Sequence, residues 1–349
     1  MASASETIAR ESPARRPAWR NWADVLRTQN LAPGAEMDRV SRWLLITRAS
    51  VFPMTITSAL IGGLLAVAGP TPATAHWGLF AEALVGLVLA HAANNMINDW
   101  FDLEGGVDSA SYVRGQYAPH PILSGLISRR GLVLAIALVN LVDLAILVHL
   151  ARAWGWPVVA FALSGLFISV FYVAPPLRLK HRGLGEPGVF LVWGPLMIAG
   201  TYFVTTGTAP AWVWAASLPY ALLVTTVLFG KHIDKIEADT AKGIRTLPVI
   251  LGEAQARWVA QALLISFFAV LALLVLTGTL GVWTLAAFAA VPRLVRVLRV
   301  FAQPRPAAAP PSFPIWPLWY VAWAFLLTRL AGGLLVLGLV ANAIRPVFL

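Results

Sequence analysis

Cysteine is absent from this chain. That removes disulfides, thiolate-bound zinc, iron–sulfur clusters and thiol nucleophiles from consideration. Charge is scarce as well. Asp, Glu, Lys and Arg make up 12% of the 349 residues and hydrophobic residues 58%, whereas a soluble domain carries about 25% charged residues. Mean hydropathy is +0.74. A soluble globule of this length has nowhere to bury so much apolar surface, so an ordinary soluble enzyme and a disordered chain are both excluded. Acidic residues are the scarcer sign, 16 against 26 Lys and Arg, for a net charge of +10. In so apolar a chain that excess reports orientation and an anionic lipid surface, and no nucleic-acid partner is expected.

What the chain does have is apolar runs of bilayer length, about 20 residues each. They fall near 43–67, 76–97, 131–150, 155–174, 188–206, 211–230, 256–277, 279–299 and 316–343. The runs are continuous, not alternating, so they predict helices in preference to barrel strands. The expected fold class is all-α, a polytopic membrane protein of about nine transmembrane helices around a central cavity, in two pseudo-repeated halves. Eight spans is the competing count, because Arg293, Arg296 and Arg299 crowd the end of the eighth run. The N-terminal stretch and the segments around 98–130, 175–187, 231–257 and 293–305 hold 23 of the 26 Lys and Arg. Positive residues stay cytoplasmic, so these loops and the N-terminus are expected on the cytoplasmic side of a bacterial cytoplasmic membrane. Residues 1–35 read as a cytoplasmic tail without a signal peptide, disordered or interfacial, and 36–349 as the transmembrane domain. Trp19, Arg20, Trp22, Leu26 and Arg27 suit a short helix on the membrane surface.

Four of the 16 acidic residues fall between 99 and 108, in the run Asn98-Asp-Trp-Phe-Asp102-Leu-Glu-Gly-Gly-Val-Asp108. On a continuing helix Asn98 and Asp102 share a face. Gly105-Gly106 then breaks the helix and lets Asp108 fold back. Two carboxylates and an amide converging at a membrane surface suit Mg²⁺, which takes hard oxygen ligands and bridges carboxylates to phosphates. A solvated acidic loop is the plainer alternative. A second cluster, Lys231-His-Ile-Asp234-Lys235-Ile-Glu237-Ala-Asp239, follows four spans later, as if each half gave one acidic loop to a shared cavity. Between them Arg178, Lys180 and Arg182 supply positive charge on the same side. Carboxylates with metal, a basic loop and an apolar bundle together suit a lipid diphosphate. Phe101, Tyr172, Trp193 and Tyr202 are aromatic faces able to stabilise a cationic allylic carbon. A two-repeat ion-coupled transporter is the rival reading, but its acids belong at the midplane of broken helices. Glu82 and Asp143 fall within spans, where Asn140 is a polar neighbour for pairing. His91 and His232 lack metal-ligand partners at suitable spacing.

These residues resemble a family. Asn98 to Asp102 with Asp108 is similar to the first aspartate-rich motif of the UbiA-type intramembrane prenyltransferases. Tyr172…Pro175-Pro176…Lys180…Gly183-Leu-Gly-Glu186 and Glu237…Asp239…Gly243…Arg245-Thr-Leu-Pro248 are closest to its 1,4-dihydroxy-2-naphthoate branch. His120-Pro121…Ser124-Gly125…Ser128 and Thr47-Arg48…Pro53 resemble further family stretches. The resemblance implies transfer of a prenyl chain from an isoprenyl diphosphate to an aromatic, quinone-precursor-like acceptor, with the chain lodged among membrane lipid. Transfer to a tetrapyrrole or another non-quinone acceptor is the alternative. It implies Mg²⁺ held by Asn98, Asp102, Asp108 and Asp239, with Asp234 as a further ligand. Arg48, Asn98, His120, Arg178, Lys180 and Lys235 become candidate diphosphate contacts. Two departures stand out. Lys235 occupies the position of a family Asp, and His120 that of a family Arg. Asp234 and Asp239 lie about 140° apart on a regular helix, so they converge only if the helix ends between them. Otherwise Lys235 faces Asp239.

Overall fold

The computed structural model describes residues 16–107, 115, 117–311 and 313–349. Among them all regular structure is helical, apart from an isolated bridge between Arg182 and Arg245. Helix α1 (Ala18–Thr28) is the short amphipathic helix expected from Trp19 and Arg27, and it packs on α2 (Arg39–Ile46). Asp38 joins the two. It caps α2 by accepting the Ser41 amide at 2.9 Å and takes the Trp22 indole N–H at 2.9 Å. A 3₁₀ turn over Ala49–Val51 leads into α3 (Phe52–Ala68), which has Pro53 in its first turn, where a missing N–H costs nothing.

Helices α4 (Trp77–Glu104) and α5 (Arg129–Trp154) follow, then α6 (Trp156–Phe171). Few α5 residues are buried, and Leu134, Leu138, Leu141 and Leu144 are exposed. An apolar face of that size has lipid as its solvent. The segment Gly185–Thr206 is continuous but not uniform. It runs as α7 (Gly185–Leu191), a π-helical stretch over Val192–Ala199 containing Pro195, and α8 (Gly200–Thr206). Proline cannot donate to the helical ladder, and the widened turn accommodates it. Ser58 of α3 donates to the Trp193 carbonyl in this stretch at 2.7 Å.

Then come α9 (Ala211–Ile233), α10 (Ile236–Ala241), α11 (Leu247–Leu251), α12 (Glu253–Leu276), α13 (Val291–Ala302) and α14 (Trp319–Ile344). The main core lies where α3, the π stretch, α9, α12 and α14 meet, around Leu65, Ile198, Tyr220, Leu223, Phe267 and Leu335.

The expected nine spans are not all reproduced as membrane-length helices. Seven helical segments among the described residues are long and apolar enough to cross a membrane, and α6, with 16 residues, is shorter. The run at 279–299 divides into a 3₁₀ helix, Val282–Ala290, and the amphipathic α13. Arg293, Arg296 and Arg299 recur every third residue, while Leu294, Val297 and Phe301 turn inward. That spacing gives a helix one charged face, which a lipid-immersed span does not tolerate.

Candidate active site

The acidic end of α4 does what its spacing requires. The helix persists to Glu104, so Asn98 and Asp102 share a face, and Gly106 turns the chain with φ +69°. The Asp102 carboxylate meets Lys180 Nζ at 3.0 and 3.2 Å. Lys180 is carried by the 3₁₀ turn Leu179–His181, and its amide donates to the Tyr172 carbonyl at 2.9 Å, closing the loop between them. Asp99, fully buried, is ion-paired with the Arg48 guanidinium. Arg48 sits in the left-handed region between α2 and the turn that starts α3.

The second acidic segment reaches the same place. Lys242 Nζ donates to the Gly106 carbonyl at 3.0 Å, and Val107 packs on Ile244 and Ala238. The Arg182–Arg245 bridge brings the basic loop to the same end of the bundle. Asp102 accordingly feels the charges of Lys180, Lys235 and Arg48 together. Helix α9 does end before Asp239, yet Asp234 does not join it. Its two carboxylate oxygens accept the amides of Tyr320 at 2.9 Å and Val321 at 3.0 Å, at the start of α14. An anion there meets the positive end of a helix dipole, so the metal-ligand role expected of Asp234 is replaced by that of a helix cap. Lys235 is the residue that faces Asp239, at 3.5 Å. Glu237 is exposed.

His120 is buried, and its Nδ1 accepts the Ile122 amide at 3.2 Å, fixing its own turn. Arg178 is exposed. Asp108 lies outside the described residues. Asn140 donates to the Ile136 carbonyl at 2.8 Å and not to Asp143, and Glu82 pairs with His149 at 2.6 Å. His91 Nδ1 binds Thr55 Oγ1 at 2.8 Å inside the bundle.

A cavity of about 970 Å³ opens beside this charged end, lined by Arg48, Asn98, Tyr172 and Lys231. Leu147, Val158, Leu166, Val224 and Phe325 supply apolar wall, and Trp193 belongs to it as well. Neither Phe101 nor Tyr202 is among its lining residues; Tyr202 is buried against Trp212. Residues Asp24 and Arg27 of α1 reach the cavity, and Arg329, ten residues into α14, lines it too. Sequence reasoning gave no role to Lys231, although that residue opens the second charged cluster, in the last turn of α9. It also passed over Asp99, Glu186 and His232, whose partners are distant in the chain.

Residues 55–326 match the UbiA prenyltransferase family. The chain belongs to that family. It is a prenyltransferase whose helices suit a membrane. It is 27% identical to a 1,4-dihydroxy-2-naphthoate octaprenyltransferase of Bacillus subtilis, over 64% of this chain and 71% of that protein. A 2-carboxy-1,4-naphthoquinone phytyltransferase of Synechocystis is 26% identical, over 78% of this chain and 86% of that protein. Among solved structures, the fold is shared with a UbiA homolog from Archaeoglobus fulgidus bound to GPP and Mg²⁺. The TM-score is 0.57 at 16% identity, covering 84% of this chain and 99% of that one. An apo UbiA homolog from Aeropyrum pernix gives a TM-score of 0.62 at 17% identity, covering 83% and 97%.

Proposed function

We propose that this prenyltransferase moves a prenyl chain from an isoprenyl diphosphate to an aromatic, quinone-precursor-like acceptor, with Mg²⁺, at the cytoplasmic end of the bundle. One observation carries the reading. Arg48, Asn98 and Lys231 line an apolar cavity, and two carboxylate–ammonium pairs, Asp102–Lys180 and Asp239–Lys235, lie behind that lining, with Asp102 in the field of Arg48 and Lys235. The names of the similar naphthoate enzymes support the acceptor class, and the GPP and Mg²⁺ bound by a protein of the same fold support donor and metal.

The oxygen donors present suit such a metal, although among the described residues no three Asp, Glu or His side chains group closely enough to hold one by themselves. Asn98 Oδ1 is buried at the cavity wall with no hydrogen-bond partner among the described residues. With the carboxylates of Asp102 and Asp239 it would offer hard oxygen donors, the kind Mg²⁺ takes. When bound there, Mg²⁺ supplies positive charge to the diphosphate as its bond to carbon breaks. The chain's own residues do the rest. Arg48 and Lys231, on the cavity wall, attract the diphosphate and orient it bidentately and as a point charge, respectively. Lys180 and Lys235 turn from their carboxylates towards the new anion. The apolar wall takes the prenyl chain and keeps water from the allylic carbon.

The test is incubation of the purified protein with Mg²⁺, labelled prenyl diphosphates of several lengths and a panel of naphthoate, benzoate, tetrapyrrole and glycerol-phosphate acceptors. Prenylated naphthoate or benzoate product is the expected result. Transfer only to a tetrapyrrole or glycerol-phosphate acceptor overturns the acceptor class.

A further inference from the structure

Glu186 of α7 and His232 in the last turn of α9 are both 1% exposed, and His232 Nδ1 lies 2.6 Å from Glu186 Oε1. The other ring nitrogen, Nε2, faces the Tyr172 hydroxyl at 3.4 Å. Glu186 Oε2 has no hydrogen-bond partner among the described residues. A buried carboxylate–imidazole pair is a poor device for stability alone, because desolvation offsets most of its attraction. Helices α7 and α9 already pack directly on one another.

Tyr172 is the one member of the three that lines the cavity. The polar row therefore runs from the cavity wall into the protein: phenol, imidazole, carboxylate. The partners assign the tautomer. Nδ1 carries the hydrogen and donates it to Glu186, which leaves the Nε2 lone pair for the Tyr172 O–H. This is the geometry of a base oriented by an acid, with a neutral phenol between base and substrate.

We propose that Tyr172, His232 and Glu186 form a relay that removes the acceptor's proton as the prenyl chain is joined to it. The inference rests on the prenyl-transfer reading above. The bond between the allylic carbon and the diphosphate oxygen breaks, and its electron pair leaves with the diphosphate. A new bond forms from the acceptor to that carbon. The acceptor's proton passes to the Tyr172 oxygen while the Tyr172 proton passes to His232 Nε2. Glu186 holds the imidazolium through Nδ1. The proton then returns through Tyr172 to the departing diphosphate, which restores the neutral ring. Tyr172 touches substrate and is the catalytic residue here. His232 and Glu186 act through it.

The experiment uses the full-length protein in nanodiscs, geranyl diphosphate as donor and the best acceptor of the panel. Tyr172→Phe, which removes one oxygen atom, is compared with His232→Gln and Glu186→Gln. Each is read for affinity for geranyl diphosphate with Mg²⁺, for transfer, and for geraniol released by hydrolysis. The expected result is donor affinity within about twofold of wild type and transfer lowered about 10²-fold. Donor consumption continues, so geraniol rises relative to prenylated product. A structural pair would instead lower the melting temperature and leave that ratio alone. Tyr172→Phe with wild-type transfer and ratio overturns the relay while the prenyl-transfer reading stands. Wild-type protein that consumes no prenyl diphosphate overturns that reading, and the relay with it. Should His232→Gln fail to fold, Tyr172→Phe decides alone.

Discussion

Lys235 Nζ lies 3.5 Å from Asp239 Oδ1, one helical turn away, and both side chains are buried. An ammonium at this position neutralises Asp239 where a second carboxylate would demand a cation. Lys235→Asp puts two carboxylates four residues apart on one face, and like charges at that spacing repel unless a cation bridges them. The Mg²⁺ midpoint is expected to fall about tenfold in calorimetric titration with geranyl diphosphate present. An unchanged midpoint removes Lys235 from the metal balance.

Asp102 and Lys180 make a buried pair whose two halves predict different outcomes. Asp102→Asn keeps shape and an acceptor oxygen but loses the charge. Transfer should fall about 10²–10³-fold, with circular dichroism unchanged. Lys180→Met leaves Asp102 without this counter-charge, a loss of about 3–5 kcal/mol, visible as a lower melting temperature. A fully active Asp102→Asn protein would take Asp102 out of the chemistry.

The sequence shows kinds of charge more readily than it shows partners. The helix-end acids, the basic loop and the membrane class follow from residues close together in the chain, and the fold places them as that spacing requires. Asp234 could not be read in this way. Its capping partner Tyr320 is 86 residues away, and the start of α14 decides where its carboxylate turns. Arg48 pairs with Asp99 across 51 residues and His232 with Glu186 across 46. The 279–299 run carried its own warning in three arginines at i, i+3 spacing, the mark of an amphipathic helix.

Asp38 ties α1 to the rest of the chain, and its carboxyl carries a pH signature. Burial acts to raise it, but hydrogen bonds from the Ser41 side chain and amide, Trp22 and Asn21 outweigh burial and hold it well below the usual carboxylate range. A depressed acid stabilises the fold above its unfolded value, about 3.9, and that contribution is lost as pH falls towards the folded value. Hydrogen exchange in α1 should therefore be flat from pH 5 to 8 and lose protection only below about pH 4. Asp38→Ala should remove the cap of α2 at a cost of about 0.5–2 kcal/mol and loosen α1 between pH 5 and 8. Protection that changes between pH 6 and 7 would point to another group.

Gly230 of α9 lies against the backbone at the start of α14. A Cβ there would lie 2.8 Å from the Val321 amide nitrogen and 2.9 Å from the Tyr320 carbonyl carbon. These are backbone atoms, so no rotamer change relieves the clash, and Val321 is one of the two amides Asp234 accepts. Gly230→Ala must push the start of α14 outward, stretching the Asp234 cap and shifting the last turn of α9, which carries Lys231 and His232. Overpacking of this kind costs about 1–3 kcal/mol, so the melting temperature should drop. Because that turn carries both the cavity-lining Lys231 and the imidazole facing Tyr172, donor affinity and the transfer-to-hydrolysis ratio should fall along with it. Asp234→Asn keeps acceptor oxygen at the cap without the clash, and it should lower stability while leaving that ratio near wild type. Equal effects of the two variants on the ratio would show that the cap, not the α9 turn, governs the site.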